Sequence, residues 1–171
     1  IRWLEEVKFQ QPSGDQALKS LLEELLFLRQ MIVRLTKQIR ALATTEGYRT
    51  SVIYLQSIPG ISTLSAMILL TELVDIHRFR SLDHLASYCG LVPDEHSTGE
   101  EQTITGITHR RNPVVRATLI ECAWVTVRKD PALLMAFNKL STRMPKTKAI
   151  IRIARKLLNR IRFVLINQKP Y

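Results

Sequence analysis

The stretch NPVVRATLIECAWVTVRKDPALLMAFNKLSTRMPKTKAIIRIARKLLNRIRFVLIN, residues 112–167, decides the fold class. Asn112-Pro113, Asp130-Pro131 and Pro145 punctuate it, the first two pairing an N-cap residue with a proline at the first helical position. The spacing predicts helices from Pro113 to about Arg128, from Pro131 to about Thr142, and from Lys146 to Asn167. The first would bury Val115, Leu119, Cys122, Ala123 and Val127. In the last, Ile150, Ile153, Leu157, Ile161 and Leu165 form an apolar stripe at helical spacing, with Arg152, Arg155, Lys156, Arg160 and Arg162 mostly off it. Such a basic amphipathic helix could lie on a membrane, but its stripe is more simply the packing face of a globular domain.

Working toward the N-terminus, residues 93–112 (PDEHSTGEEQTITGITHRRN) lose the helical period and concentrate Ser, Thr, Gly and charge. They read as a loop, with a short extended piece through Thr103-Ile104-Thr105. Ahead of it SLDHLASYCGL reads as a short helix capped by Ser81 and ended by Gly90, after a turn over Asp75–Arg80. Residues 51–74 form helix, Pro59-Gly60 turn, helix, with Ser62 or Thr63 capping the second helix and Ala66 at a small packing position. Leu18, Leu21, Leu25, Leu28, Ile32, Leu35, Ile39 and Leu42 step by alternating threes and fours, a heptad seam. Residues 1–12 read as a short amphipathic lead-in ending at Pro12, Ser13 or Asp15 can cap the helix that follows, and Gly47 marks its end. Heptads alone leave two partners open, a second copy or the rest of this chain. The fold class is therefore mainly α: a lead-in and long heptad coiled-coil helix over 1–48, then a compact helical domain over 49–171 with a helix-hairpin-helix element and an irregular polar loop.

The 171 residues are 46% hydrophobic, enough for a core, and carry a net charge of +10. The charge is unevenly placed: residues 1–50 hold 8 Lys+Arg and 6 Asp+Glu, residues 51–108 hold 2 and 7, and residues 109–171 hold 15 and 2. One basic block of this kind predicts a positive face for a polyanion such as DNA or RNA. Two cysteines, Cys89 and Cys122, exclude a disulfide framework and favour a reducing compartment, so the expected location is the cytoplasm. Neither has CxxC spacing, and the four histidines are too dispersed for a metal site. The apolar stretch Leu64–Val74 is interrupted by Thr71 and Glu72 and is too short to cross a bilayer.

Chemistry would sit where the acidic and basic thirds meet. Ser97, followed by Thr98 and Gly99, is a candidate hydroxyl nucleophile. Asp94, Glu95 or His96 could influence its proton, and His109, Arg110, Arg111 and Arg116 could clamp a phosphate. By spacing alone, Ser-Thr-Gly is also an ordinary turn. The Pro59-Gly60 turn with Ser62 could bind a phosphate through backbone N–H groups at a helix N-terminus, or could be purely structural. Arg152, Arg155 and Lys156 extend the candidate nucleic-acid surface along the last helix.

LQSIPGIS and TELVDIHRFRSLDHLASYCGLVPDEHSTGEEQTITGITHRRNPVVRATLIECAW together resemble the C-terminal half of the IS110 (IS116/IS902) family of bacterial insertion-sequence transposases over residues 51–165. The shared elements come in order: the Pro-Gly hairpin, an acidic residue before Arg-Phe, Tyr-x-Gly-Leu-x-Pro, a Ser-Ser-Gly-like element, and an Ile-Thr-Lys-x-Gly-Asn-x-x-Leu-Arg-like element. The resemblance implies a DNA transposase or recombinase in which Ser97 attacks a DNA phosphodiester, with Thr98 at the element's second serine. It also implies metal-binding carboxylates, holding Mg, in a RuvC-like nuclease domain absent from this chain. DNA, a structured guide RNA and homo-oligomerisation through the coiled coil are the implied partners, with no membrane. His109 stands where the family has Lys and Arg111 where it has Gly, while Asn112 and Arg116 keep their register. Opening at Ile1, the chain is expected to be the second half of a longer enzyme and inactive alone. The competing readings are a non-catalytic helix-hairpin-helix DNA-binding module dimerised by a coiled coil, and a coiled-coil adaptor whose basic last helix meets acidic protein or lipid.

Overall fold

A computed structural model describes residues 2–92, 95–98, 101–104 and 112–171, the two short strands by backbone alone. The chain divides into two compact units, Ile1–Leu42 and Ala43–Tyr171. This division falls six residues before the expected boundary at 48/49.

The first unit holds α1 (Arg2–Glu5) and α2 (Pro12–Leu42). Pro12 opens the long helix instead of closing the lead-in, as a proline at a first helical position should. Asp15 lies inside the first turn, where its Oδ1 accepts the Phe9 N–H at 2.9 Å and secures the connection to α1. None of the residues of α2 is buried. Leu21, Leu25, Leu28, Ile32, Leu35, Ile39 and Leu42, all on the heptad seam, are exposed together with Leu26, Phe27 and Val33.

The second unit comprises α3 (Glu46–Gln56), α4 (Thr63–Leu73), a 3-10 turn (Ile76–Arg78), α5 (Leu82–Tyr88), strands β1 (Glu95–Thr98) and β2 (Glu101–Ile104), α6 (Pro113–Lys129), α7 (Pro131–Ser141) and α8 (Lys146–Asn167). Gly47 does not end the coiled-coil helix. It sits in the first turn of α3, with open space where a side chain would be. Ser62, Ser81, Asn112 and Asp130 cap α4, α5, α6 and α7 through their side chains. The polar segment read as a loop contains an antiparallel pair, Glu95 opposite Ile104 and Ser97 opposite Gln102. The sequence placed only one extended piece there because Thr, Ser and Glu carry no apolar alternation for a core-facing strand.

The core is organised on α8, which packs against α3, α5, α6, α7 and the 3-10 turn. Ile153, Ala154, Leu157, Leu158, Ile161 and Val164 are fully buried, each large side chain contributing about 1.5–3 kcal/mol of transfer free energy. Trp124 meets Phe137 edge to face at 5.6 Å, locking α6 to α7. Cys89 and Cys122 are buried, and burial pushes the Cys89 thiol up to about 12, so neither is a nucleophile at neutral pH. Cys122 is raised for the same reason, although a hydrogen bond with Ser65 opposes it.

One basic side chain of α8 departs from the expected solvent-facing role. Arg160 turns inward and pairs with Asp130, whose Oδ1 also caps α7 by accepting the Leu133 N–H at 2.9 Å. Burial works to raise the Asp130 carboxyl, but the Arg160 guanidinium and the backbone N–H groups of Leu133 and Ala132 outweigh it and hold the group below its ordinary value. A carboxylate depressed on folding stabilises the fold above its unfolded value, and the advantage is lost as pH falls through the folded one. Asp130→Asn should therefore cost about 3 kcal/mol in urea melts at pH 7, since it leaves Arg160 buried without its counter-charge. The gap from the wild-type chain should narrow steadily below the ordinary carboxylate value of 3.8.

Candidate active site and nucleic-acid interface

The residues singled out from the sequence fall into three places. Ser97 lies in β1, directly opposite Gln102, with Thr98 opposite Glu101. Asp94, Gly99, His109, Arg110 and Arg111 lie outside the described residues.

The helices that flank the strand pair in sequence come together at a meeting of three helix ends. Tyr88 closes α5, Gly90 follows at φ 66°, a conformation glycine adopts freely, and the Leu91 N–H bonds back to the Ala86 carbonyl at 2.8 Å. The chain returns at Asn112, whose backbone N–H donates to the Tyr88 carbonyl at 2.9 Å. Departure and return points are thus hydrogen-bonded to each other. Asn112 caps α6 and also donates from Nδ2 to Glu72 Oε2, at 2.6 Å, in the last turn of α4. The Tyr88 hydroxyl donates to the Glu72 carbonyl at 3.1 Å, and the Arg78 guanidinium lies 4.8 Å above the Tyr88 ring. Arg116, a predicted phosphate ligand, directs Nη1 to the Gly90 carbonyl and so ties α6 to the end of α5.

The second place is the α3–α4 turn. Gly60 has φ 98°, and a Cβ there would fall 2.3 Å from Thr126 Oγ1, 2.9 Å from Thr126 N and 3.0 Å from the Cys122 carbonyl. Its glycine requirement is therefore one of packing against α6. The Thr126 hydroxyl shares its proton between the Pro59 carbonyl at 2.8 Å and the Cys122 carbonyl at 2.7 Å. Ser62, beyond the turn, is exposed and accepts the Ser65 N–H at 3.1 Å.

The third place is the outer surface of α8. Lys148, Arg152 and Lys156 are exposed and four residues apart, so they line one ridge of the helix. Arg155 pairs with Asp83 at the surface, an exposed contact worth little.

Sequence reasoning missed Glu72, Tyr88 and Thr126. Glu72 had a signal: it is the first charge after the uncharged run 53–71. A carboxylate ending an apolar helix needs a reason to be there. Among the described residues no three of His, Cys, Asp or Glu gather as metal ligands. An apolar groove between α6 and α7, lined by Trp124, Val127, Arg128, Leu134, Phe137 and Asn138, offers no nucleophile or general base. No helix among the described residues is long and apolar enough to cross a membrane.

The second unit is thus a helical body with a polar strand pair placed in sequence between its acidic and basic segments. Residues 53–138 match the Transposase IS116/IS110/IS902 family, and the chain belongs to that family. It is 29% identical over 164 residues to the transposase for insertion sequence element IS1111A of Coxiella burnetii, covering 94% of this chain and 44% of that protein. It is 37% identical over 75 residues to the transposase for insertion sequence element IS1328 of Yersinia enterocolitica, covering 44% of this chain and 22% of that one. A pilin gene-inverting protein of Moraxella lacunata is 33% identical over 130 residues, 73% of this chain and 39% of its own length. The chain spans less than half the length of each.

Gly60→Ala should lower stability by about 2–4 kcal/mol in urea denaturation, because the new Cβ collides with Thr126 and the backbone is strained at this φ. Thr126→Ala, which removes the Oγ1 that the new Cβ would strike, should make the double variant less destabilised than the sum of the two single losses.

Proposed function

We propose that this chain is the portion of a transposase that binds nucleic acid and supplies Ser97 as the nucleophile for DNA strand cleavage and rejoining. The observation that carries the reading is the strand pair bearing Ser97, which lies in sequence between the hydrogen-bonded Tyr88 and Asn112 and between the acidic and basic segments. In this reaction Ser97 Oγ loses its proton and forms a bond to a backbone phosphorus. The bond from that phosphorus to one deoxyribose oxygen breaks, and the departing oxygen takes up a proton. The product is a phosphoserine ester, and attack on it by a second strand's hydroxyl reverses the sequence of bonds. Arg110 and Arg111, with the imidazole of His109, all close to β2 in sequence, would balance the extra negative charge on the phosphorus as it is attacked. Mg belongs in this reading to carboxylates of a nuclease domain outside the chain.

The exposed heptad seam of α2 supports assembly through a coiled coil, because ten large apolar side chains on one helix are open to water in the single chain. Lys148, Arg152 and Lys156 supply a ridge of phosphate contacts for DNA or a structured guide RNA. A second reading, a non-catalytic helix-hairpin-helix module that binds DNA and dimerises through α2, draws on the exposed cap at Ser62 beside the α3–α4 turn.

The deciding experiment supplies the full-length protein with guide RNA, Mg and target DNA and looks for a protein–DNA adduct that survives denaturation. Wild type should form it and Ser97→Ala should not. Equal adduct from both would remove Ser97 as nucleophile and bring Thr98 forward, and DNA binding without adduct from either would favour the module. Separately, replacing Lys148, Arg152 and Lys156 together by Ala should flatten the plot of log binding constant against log salt by about 2–3 units for duplex DNA. An unchanged slope would remove that ridge from the interface.

A further inference from the structure

We propose that Glu72, Tyr88 and Asn112 form a positioning clamp that sets the attitude of the Ser97 strand pair, so that Glu72 and Asn112 govern the rate of strand cleavage without touching DNA. The inference rests on the reading of Ser97 as the nucleophile.

The argument begins with the hydrogen-bonding capacity of Asn112. A side-chain amide offers two acceptor sites and two donor hydrogens. Oδ1 accepts from Val114 N at 3.1 Å and Val115 N at 3.0 Å, while Nδ2 donates to Glu72 Oε2 at 2.6 Å and to the Tyr88 hydroxyl at 3.3 Å. All four valences are used. Capping alone explains only the first two, and Ser, Thr or Asp would serve there equally. The other two join α6 to the ends of α4 and α5, and the contact with Glu72 is a charge-assisted bond.

Location gives the clamp its consequence. α5 ends at Tyr88 and α6 is capped by Asn112, the two residues the clamp holds together, and Ser97 lies between them in sequence. In this proposal, what fixes the spacing and direction of these two chain ends limits the positions open to β1 and β2. Immediately beyond Glu72 and Leu73, Val74 sits at φ 58°, an unfavourable conformation for a β-branched residue, which persists only where surrounding contacts over-determine the backbone. Attack on phosphorus needs near-linear alignment, and displacement by about 1 Å can lower a rate by two orders of magnitude.

The test uses the full-length transposase with guide RNA, Mg and target DNA, and measures the single-turnover rate of adduct formation at saturating DNA beside the DNA dissociation constant. Asn112→Asp retains the cap but sets two carboxylates face to face. Its adduct rate should fall about 30-fold with DNA affinity within about two-fold of wild type. Glu72→Gln, whose carbonyl still accepts from Asn112, should change the rate by less than about three-fold. Combining Glu72→Gln with Asn112→Asp lets the introduced amide donate to the introduced carboxylate, reversing the polarity of the bond, and this double variant should recover most of the rate. If Asn112→Asp does not fold, Asn112→Ser, which caps but cannot donate to Glu72, should show the same loss of rate with affinity retained.

An unchanged rate in Asn112→Asp, a loss matched by equal loss of DNA affinity, or a double variant no faster than Asn112→Asp would overturn the clamp. Ser97→Ala runs in parallel. Wild-type adduct levels in Ser97→Ala defeat the serine reading itself, whereas adduct lost in Ser97→Ala but unaltered in Asn112→Asp defeats the clamp alone.

Discussion

The docking of the Pro59-Gly60 turn onto α6 is the constraint on which the second unit depends. Thr126 is fully buried, and its hydroxyl has nowhere to find water, so the Pro59 carbonyl and its own helix must satisfy it. This hydrogen bond requires close approach of two backbones, and close approach requires a residue without a Cβ at position 60. Once the turn is seated, α4 is fixed alongside α6. The Glu72 carboxylate is thereby brought to the start of α6, where the Asn112 amide meets it. A packing contact at one end of α4 thus sets a polar contact at the other.

Basic residues in the last third divide by environment into two kinds. Arg160 is drawn into the fold by Asp130, and Arg116 reaches the Gly90 carbonyl. Both are structural ties, although the net charge counts them with the rest. Lys148, Arg152 and Lys156 stand exposed along α8, and Arg128, Lys129, Lys139, Arg143, Lys146 and Lys169 are exposed as well. The accessible positive surface is therefore smaller than a charge count implies by the arginines that the fold ties down.

Helix boundaries were largely legible because local chemistry enforces them. Asn112-Pro113 and Asp130-Pro131 fix their helices through capping and a preset φ, and the stripe from Ile150 to Leu165 is buried as its period requires. Gly47 was misleading since a glycine with ordinary φ carries no obligation to end a helix, and α3 absorbs it. Pro12 was misread in the same way, proline being as welcome at a helix start as in a linker. The strand pair escaped notice because its side chains lack apolar alternation. Candidate site residues were legible by type, but Glu72 and Tyr88 belong to no sequence pattern that includes Asn112, from which they stand 40 and 24 residues away.

By itself the sequence determined the helical class, the caps, the core stripe of α8, the heptad seam of α2 and the basic block after residue 108. Each of these is set by neighbours within a few residues, where propensity, capping and periodicity act. Tertiary structure alone decided why residue 60 is glycine, which arginines turn inward, and that Asn112 serves Glu72 and Tyr88 as well as its own helix. Those outcomes depend on surfaces that meet only after folding, when a buried hydroxyl, carboxylate or amide must take its partner from whatever the packing has brought within reach.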